Sequence, residues 1–508
     1  MIRYGLAGTV LALLAATGVA DPPAEDIRGK VRAAVGYDAW AKLEHGVVLA
    51  GTATAHGATA PFTLRLHPDG RYAHREAMPL GADNGYDGKG WWARQFTTPP
   101  LPADLISRDD ARLESGLLGH RWLAPDGGFT VGLDPAEHRA YRPCLVVRHP
   151  DAPGAVARAY LDPHTWLPTR FVVSVGRTVS LIEPSDWRVV GGARVPARFG
   201  RGWTPGEPEW VAASVAAAGP PPAGVDPFAP PPPAADTAFD PAAPARAEAK
   251  LVNAVLAVRV TIDGRPGPWL GLNTTAGITT LTPAAAAQLG LPAAGRGQSV
   301  GVGLRPVGYR TVGRLGVGPA AVSNLVVEED PGAGRYGLGG FLGSDVLARL
   351  VVEADFRAGT VAVHDPKAYR PPPGTTWQEA RFAYGQAFLA GTFEGAHTGP
   401  FRLATVGQDP LVLRQSATRK LGLLDGRAVE PVAGGHDGGL LDAYAGTAAE
   451  FRVLGRATRG VKTFFLDAPV GREAFPHEYG AFGPSVLGPG TLVLDYPGRR
   501  VGFRAAAE

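Results

Sequence analysis

WLGLNTTAGITTLTPAAAAQLGL, Trp269 to Leu291, runs an apolar strand into a loop of small residues, Asn273-Thr274-Thr275-Ala276. An alanine-rich stretch follows and closes on Leu289-Gly290-Leu291. Whether this loop carries chemistry depends on whether the chain supplies a second one like it.

It does, because the region after Lys250 repeats itself. GFLGSDVLARLVVEADFRAGTVAVHD, 340–365, answers to AFGPSVLGPGTLVLDYPGRRVGFR, 481–504. Gly343 aligns with Gly483, Asp355 with Asp495, Phe356 with Tyr496 and Val361 with Val501. Upstream, AAQLGL ending at Leu291 answers to TRKLGL ending at Leu423. Two homologous lobes are expected, 250–371 and 372–508, with Pro371-Pro372-Pro373 at the join. On this alignment the partner of the first loop is Ala404-Thr405-Val406-Gly407, within FRLATVGQDPLVL.

An apolar strand, a small-residue loop and a later Gly-x-Leu-Gly turn, given twice, resemble the aspartic-protease fold. The bacterial retropepsin-like members with both lobes on one chain are the best match. The resemblance spans 250–508 and implies an all-β, two-lobed module with a cleft between the lobes. Enzymes of that family work with one Asp from each loop. The two carboxyls share a proton, one activating water while the other, kept neutral by the adjacent charge, donates to the scissile carbonyl. Here Asn273 and Ala404 stand at those two places, so no catalytic residue is assigned. A carboxamide takes no proton from water at neutral pH and a methyl group has none to exchange. The usual glycine after the Thr is also replaced, by Thr275 and Val406, so the close backbone approach it allows is lost. The expectation is a pseudoprotease whose cleft, at Asn273, Thr274, Thr275, Ala404 and Thr405, binds an extended peptide or protein ligand. One alternative is an active endopeptidase with a non-standard site, for which Asp345 and Asp409 are the nearest carboxylates. His364-Asp365 and His436-Asp437 read as surface pairs, since no nucleophile signature accompanies them. GVGLRPVG, 301–308, reads as a flap-like hairpin rather than a phosphate loop, because no helix follows it.

The N-terminal region, 21–214, shows a short helical pattern near Val31 to Leu43 and then strand-like alternation at Val47, Leu49, Phe62, Leu64 and Leu66. YDGKGWW at 86–92, YLDPHTWLPTRFVV at 160–173 and DWRVVGGARVPARF at 186–199 read as hairpins. These phrases resemble the outer-membrane lipoprotein carrier (LolA-like) family, which implies an open β-barrel with helices and an apolar cavity. Trp91, Trp92, Trp166 and Trp187 are candidates to line such a cavity, with ordinary core as the competing reading. A second alternative function follows, carriage of lipid or lipoprotein by this domain. Between it and the lobes lies a proline-rich stretch, 215–249, expected to be an extended spacer, since proline fixes φ and cannot donate to a sheet.

The remaining features bound the setting. Arg3, an apolar run from Leu6 to Ala16 and small residues at Gly18 and Ala20 read as a signal peptide, 1–20, cleaved after Ala20. Export to the periplasm or the exterior is expected, with no membrane span after cleavage. The 508 residues carry a formal net charge of +3 and no basic run with interleaved aromatics, which argues against nucleic acid. The single cysteine, Cys144, reads as a small buried hydrophobe. No Cys/His spacing suits zinc, and neither a metal nor a cofactor is expected. The 69 glycines and 48 prolines point to many short strands joined by turns.

Overall fold

The computed structural model describes residues 23–506, except 78–79, 141–142, 153–154, 176–177, 205–208, 301–303, 408–409, 437–438 and 468–477. The signal-like segment 1–20, Asp409 and Asp437 therefore lie outside the described residues. The fold is mostly β. None of the described helices is long and apolar enough to cross a membrane.

The N-terminal region builds one antiparallel sheet of 13 strands. Its central hairpin, Val47–Ala55 with Ala58–Leu66, turns on His56 and Gly57, which both take positive φ (54° and 75°). A two-residue turn of that kind twists in the same sense as the strands it joins. Alternation then puts Val47, Leu49, Phe62, Leu64 and Leu66 on one buried face. Helix Ala24–Val35 covers it with Ile27, Val31 and Val35, and helix Leu105–Leu118 adds Leu113 and Leu117. Glycine at position 36 ends the first of these helices in the left-handed conformation (φ 67°).

The expected barrel is not there. The sheet is an open path from an edge at Leu101–Pro102 to an edge at Thr130–Gly132. Those edges are two and three residues long, and Pro102 has no N–H to offer a partner. The chain between them goes into helix Leu105–Leu118 and the turn Arg121–Leu123 instead of further strands.

Of the four tryptophans, Trp91 and Trp166 pack against the apolar core of this region. Trp91 stacks on Tyr86 with ring centroids 4.7 Å apart. Trp92, on the other face of the same strand, packs against Ala73 and Phe228. Trp166 lies under the Lys30 ammonium at 4.3 Å, and Trp187 stacks on His120 at 6.2 Å.

The proline-rich stretch is docked, which departs from the free spacer that its composition suggests. Phe228 is buried, its carbonyl accepts from Trp92 Nε1 at 2.9 Å, and Ala229 O accepts from Arg75 at 2.7 Å. Further on, Thr237–Phe239 adds a strand to Ala320–Glu329, and Asp236 accepts from Arg349 Nε at 2.9 Å. Composition describes the backbone of such a segment, whereas one aromatic and one carboxylate decide where it lies.

From residue 237 onward the chain forms sheets of nine, six and eight strands. The nine-stranded sheet draws its strands from 237–342, and the eight-stranded one from 381–482. The six-stranded sheet mixes both: Val351–Asp355 pairs antiparallel with Gly490–Asp495, Val351 facing Asp495. One continuous apolar core joins the three sheets, from Leu256 and Val258 through Val352 to Phe401, Leu494 and Phe503.

Candidate functional site: two paired loops

Two strands end at the residues singled out by sequence, and they end in the same way. Arg265–Leu272 runs parallel to Gly340–Leu342, and Asn273 N donates to Leu342 O at 3.0 Å. His397–Leu403 runs parallel to Gly480–Phe482, and Ala404 N donates to Phe482 O at 2.9 Å. The short partner strands are buried along their length, as parallel pairing between layers requires. Each begins with a glycine that tolerates no Cβ. At Gly340 it would lie 2.0 Å from Thr280 O, and at Gly480 2.0 Å from Val412 O.

The two loops are then tied to each other through threonine. Thr274 Oγ1 donates to Leu403 O at 2.6 Å and accepts from Thr405 N at 3.2 Å. Thr405 Oγ1 donates to Leu272 O at 2.7 Å and accepts from Thr274 N at 3.1 Å. Thr274 is 0% and Thr405 2% exposed. Both hydroxyls are fully used in holding the loops together.

The residues one place earlier are Asn273 and Ala404. Asn273 is buried, and its Oδ1 accepts from Thr275 N at 2.9 Å and Thr275 Oγ1 at 2.7 Å. A backbone N–H can only donate, so the carboxamide oxygen must be the atom facing Thr275. Ala404 is half-buried and brings only a methyl group. Val406 packs into the opposite half, against the cluster of Val255, Leu338 and Phe341. Gln386 joins the site unannounced by any sequence signal: its Nε2 donates to Thr275 O at 2.7 Å, and Arg402 donates to its Oε1 at 3.1 Å. Among the described residues, this centre is built of the Asn273 and Gln386 amides, threonine hydroxyls and backbone groups, with Arg402 behind Gln386.

The other candidates lie elsewhere. Asp345 is fully buried, with Oδ1 accepting from Thr279 Oγ1 at 2.7 Å and Val346 N at 2.9 Å. Burial pushes its carboxyl above the usual range, against the pull of the Thr279 hydrogen bond. A carboxyl so enclosed ties the Gly343 turn to the strand before it and meets no water. His364 stands on a strand 4.0 Å from Glu353, with burial lowering its pKa, and Asp365 caps a turn by accepting from Lys367 N at 2.9 Å. His436 ends the strand Glu430–His436. Residues 304–308 fall in the strand Leu304–Val317, which pairs antiparallel with Ala293–Val300 as a hairpin. Burial raises the Cys144 thiol to about 12, which makes it inert at neutral pH. Among the described residues no group of His, Cys, Asp and Glu could hold a metal ion. A surface recess of about 260 Å³ is lined by Arg246, Glu248, Arg259 and Thr261 and includes neither loop.

A second polar cluster is buried in the N-terminal sheet. His74 Nε2 lies 2.8 Å from Glu76 Oε1, and Arg201 reaches His74, Glu76 and Glu114. Burial alone would raise the Glu76 pKa, but Arg201 and His74 outweigh it and bring it down to about 2. The cluster satisfies itself with its own charges, as buried ionic groups must.

No family model matches the chain, and no curated protein does. Among solved structures, part of the chain is similar to an aspartic proteinase from Irpex lacteus, with 11% identity, a TM-score of 0.34 and coverage of 52% of this chain and 97% of that one. It is also similar to a retropepsin-like aspartic protease from Rickettsia conorii, with 17% identity, a TM-score of 0.20 and coverage of 26% and 92%. A third is basic 7S globulin from soybean, with 11% identity, a TM-score of 0.30 and coverage of 52% and 94%.

Proposed function

We propose that the chain is an exported, non-catalytic protein that binds an extended peptide or protein segment between two aspartic-protease-like lobes, 250–371 and 372–508. The observation that supports this reading is the pair of loops cross-bonded through Thr274 and Thr405, each preceded by a residue, Asn273 or Ala404, that carries no acid. Peptide hydrolysis by this plan needs two carboxyls sharing a proton. An amide beside a methyl group retains the shape of such a centre and none of its acid–base chemistry. Extended ligands are held mainly by main-chain hydrogen bonds, which require no acid. In the same reading the mature chain begins after Ala20, and 21–214 forms a carrier-like domain followed by the docked stretch 215–249. Carriage of an acyl chain by that domain has less support, since side chains of its two long helices fill the inner face of the sheet.

The test is incubation of the full-length protein with a library of extended peptides from pH 3 to 8, followed by mass spectrometry of bound and free fractions. Retention of intact peptides with no cleavage is expected. Asn273→Asp combined with Ala404→Asp should bring weak cleavage confined to acid pH, where the pair holds one proton. Efficient cleavage by the unaltered protein would overturn the reading.

A further inference from the structure

One segment at the edge of the N-terminal sheet is gripped by both halves of the 250–508 region. Phe96, 2% exposed, places its ring among Ile278, Val307, Tyr309 and Val326. It meets Tyr309 at 5.0 Å and His56 at 5.3 Å between centroids. Phe96 also has φ 50°, a conformation that a bulky residue adopts only when its surroundings enforce it. At the next residue, Thr97 O accepts from Arg349 at 2.6 Å and Thr97 Oγ1 accepts from Val326 N at 3.2 Å. Leu101 enters the common core. Asp104 N then donates to Phe382 O at 2.7 Å, while Phe382 N donates to Asp104 Oδ2 at 3.0 Å.

The position of this segment matters as much as its grip. Gly277 lies just past the Asn273–Ala276 loop, and a Cβ there would come within 3.6 Å of Gln95 Oε1 and 3.1 Å of Tyr384 O. Ile278, against Phe96, is the next residue along. The hairpin Ala293–Val300/Leu304–Val317 is held from the same side, since Arg296 N donates to His56 O at 2.9 Å. The contacts resemble those of a bound peptide: a main-chain hydrogen bond to Phe382 on one side, side-chain-assisted bonds to Val326 and Arg349 on the other, and one aromatic anchor among apolar residues.

We infer that residues 95–104 are a resident strap across one end of the peptide-binding cleft proposed above, beside the Asn273–Ala276 loop. Ligand chains approach that loop from the open end, and a chain long enough to cross the cleft must displace the strap. This rests on the peptide-binding reading for its consequence and on the contacts alone for the strap itself.

The experiment separates the two. Full-length protein is compared with Phe96→Ala, which removes the anchor, and with the near-isosteric Thr97→Val, which removes only the acceptor for Val326 N. Amide hydrogen exchange is followed in 304–329, and binding of peptides of 4, 8 and 12 residues is measured by fluorescence anisotropy. Both variants should speed exchange at Val326 by tenfold or more, and Phe96→Ala should do so across 304–329. Phe96→Ala should also strengthen binding of the 12-residue peptides by about tenfold and leave the 4-residue peptides unchanged. Unchanged exchange at Val326 in both variants overturns the strap. Faster exchange with equal gains at every peptide length overturns its role as an obstruction. Faster exchange with no peptide bound by any variant leaves the strap standing and removes the proposed function.

Discussion

Two stretches of the chain, 265–347 and 397–487, share a backbone plan and fill it with different polar interiors. In the first, Thr282 N donates to Gly339 O at 2.8 Å, and the Thr282 hydroxyl caps the next helix by accepting from Ala285 N at 3.2 Å. In the second, Arg414 N donates to Tyr479 O at 2.9 Å, but its side chain is a guanidinium, 1% exposed, paired with Glu478 at 2.8 Å. The first half secures its glycine turn through Thr279 and Asp345, while in the second Gly483 N donates to Pro410 O at 3.0 Å. Main-chain bonds at the crossing points are thus kept while the side chains around them are free to change. The loops themselves show the same freedom: Asn273 Oδ1 accepts from Thr275 N at 2.9 Å in one, while Ala404 brings only a methyl group to the other.

The comparison breaks most visibly at the buried ion pair. Arg414→Met should destabilise the protein by about 3–5 kcal/mol, because an uncompensated carboxylate stays buried. Adding Glu478→Leu should recover most of that loss. Thr282→Ala, at the equivalent place in the first half, should cost about 1 kcal/mol as a lost helix cap. Urea denaturation gives all three values, and equal losses for the two single variants would mean that the polar interiors differ only in appearance.

A smaller effect sharpens what the halves share. Thr274→Val leaves Leu403 O and Thr405 N without their partner and should cost about 2–3 kcal/mol, whereas Thr274→Ser keeps the hydroxyl and should cost less than half as much. Thr405→Val should behave alike. A Thr274→Val variant as stable as the parent would show that the loops are held by packing alone.

The smallest effect is a slope. Burial raises the Asp345 pKa above its ordinary value of 3.8, so the protonated form is the one the fold favours. Its contribution is complete below pH 3.8 and is lost as pH rises through the folded value. Asp345→Asn has no such loss, so its stability relative to the parent should improve from pH 4 to pH 8. Denaturation midpoints of the two proteins across that range check it, and a difference that worsens with pH would contradict the sign.

Much of the module's outline is legible in the chain because its constraints are local. A glycine followed by two apolar residues and another turn is what a short, doubly buried strand needs, and Gly340 and Gly480 are sites where a side chain meets a carbonyl. Strand alternation around Phe62, Leu64 and Leu66 is equally local. What stayed hidden depends on contacts between distant residues. Thr274 and Thr405 look like ligand-facing hydroxyls in sequence, yet each is consumed by the opposite loop. Gln386 carries no motif, and only the fold brings it to Thr275. The open edges of the N-terminal sheet and the docking of Phe228 against Trp92 likewise have no signature in neighbouring residues.

The six-stranded sheet places a condition on when this protein can fold. Val351–Asp355 is paired on one side by Thr360–His364, close by in the chain, and on the other by Gly490–Asp495 near the end of it. Contacts so far apart in sequence close slowly. Until they do, Val351–Asp355 is an open, apolar edge, the kind of surface through which chains join one another. The first half therefore cannot finish on its own: it waits, exposed, for the last strands of the second.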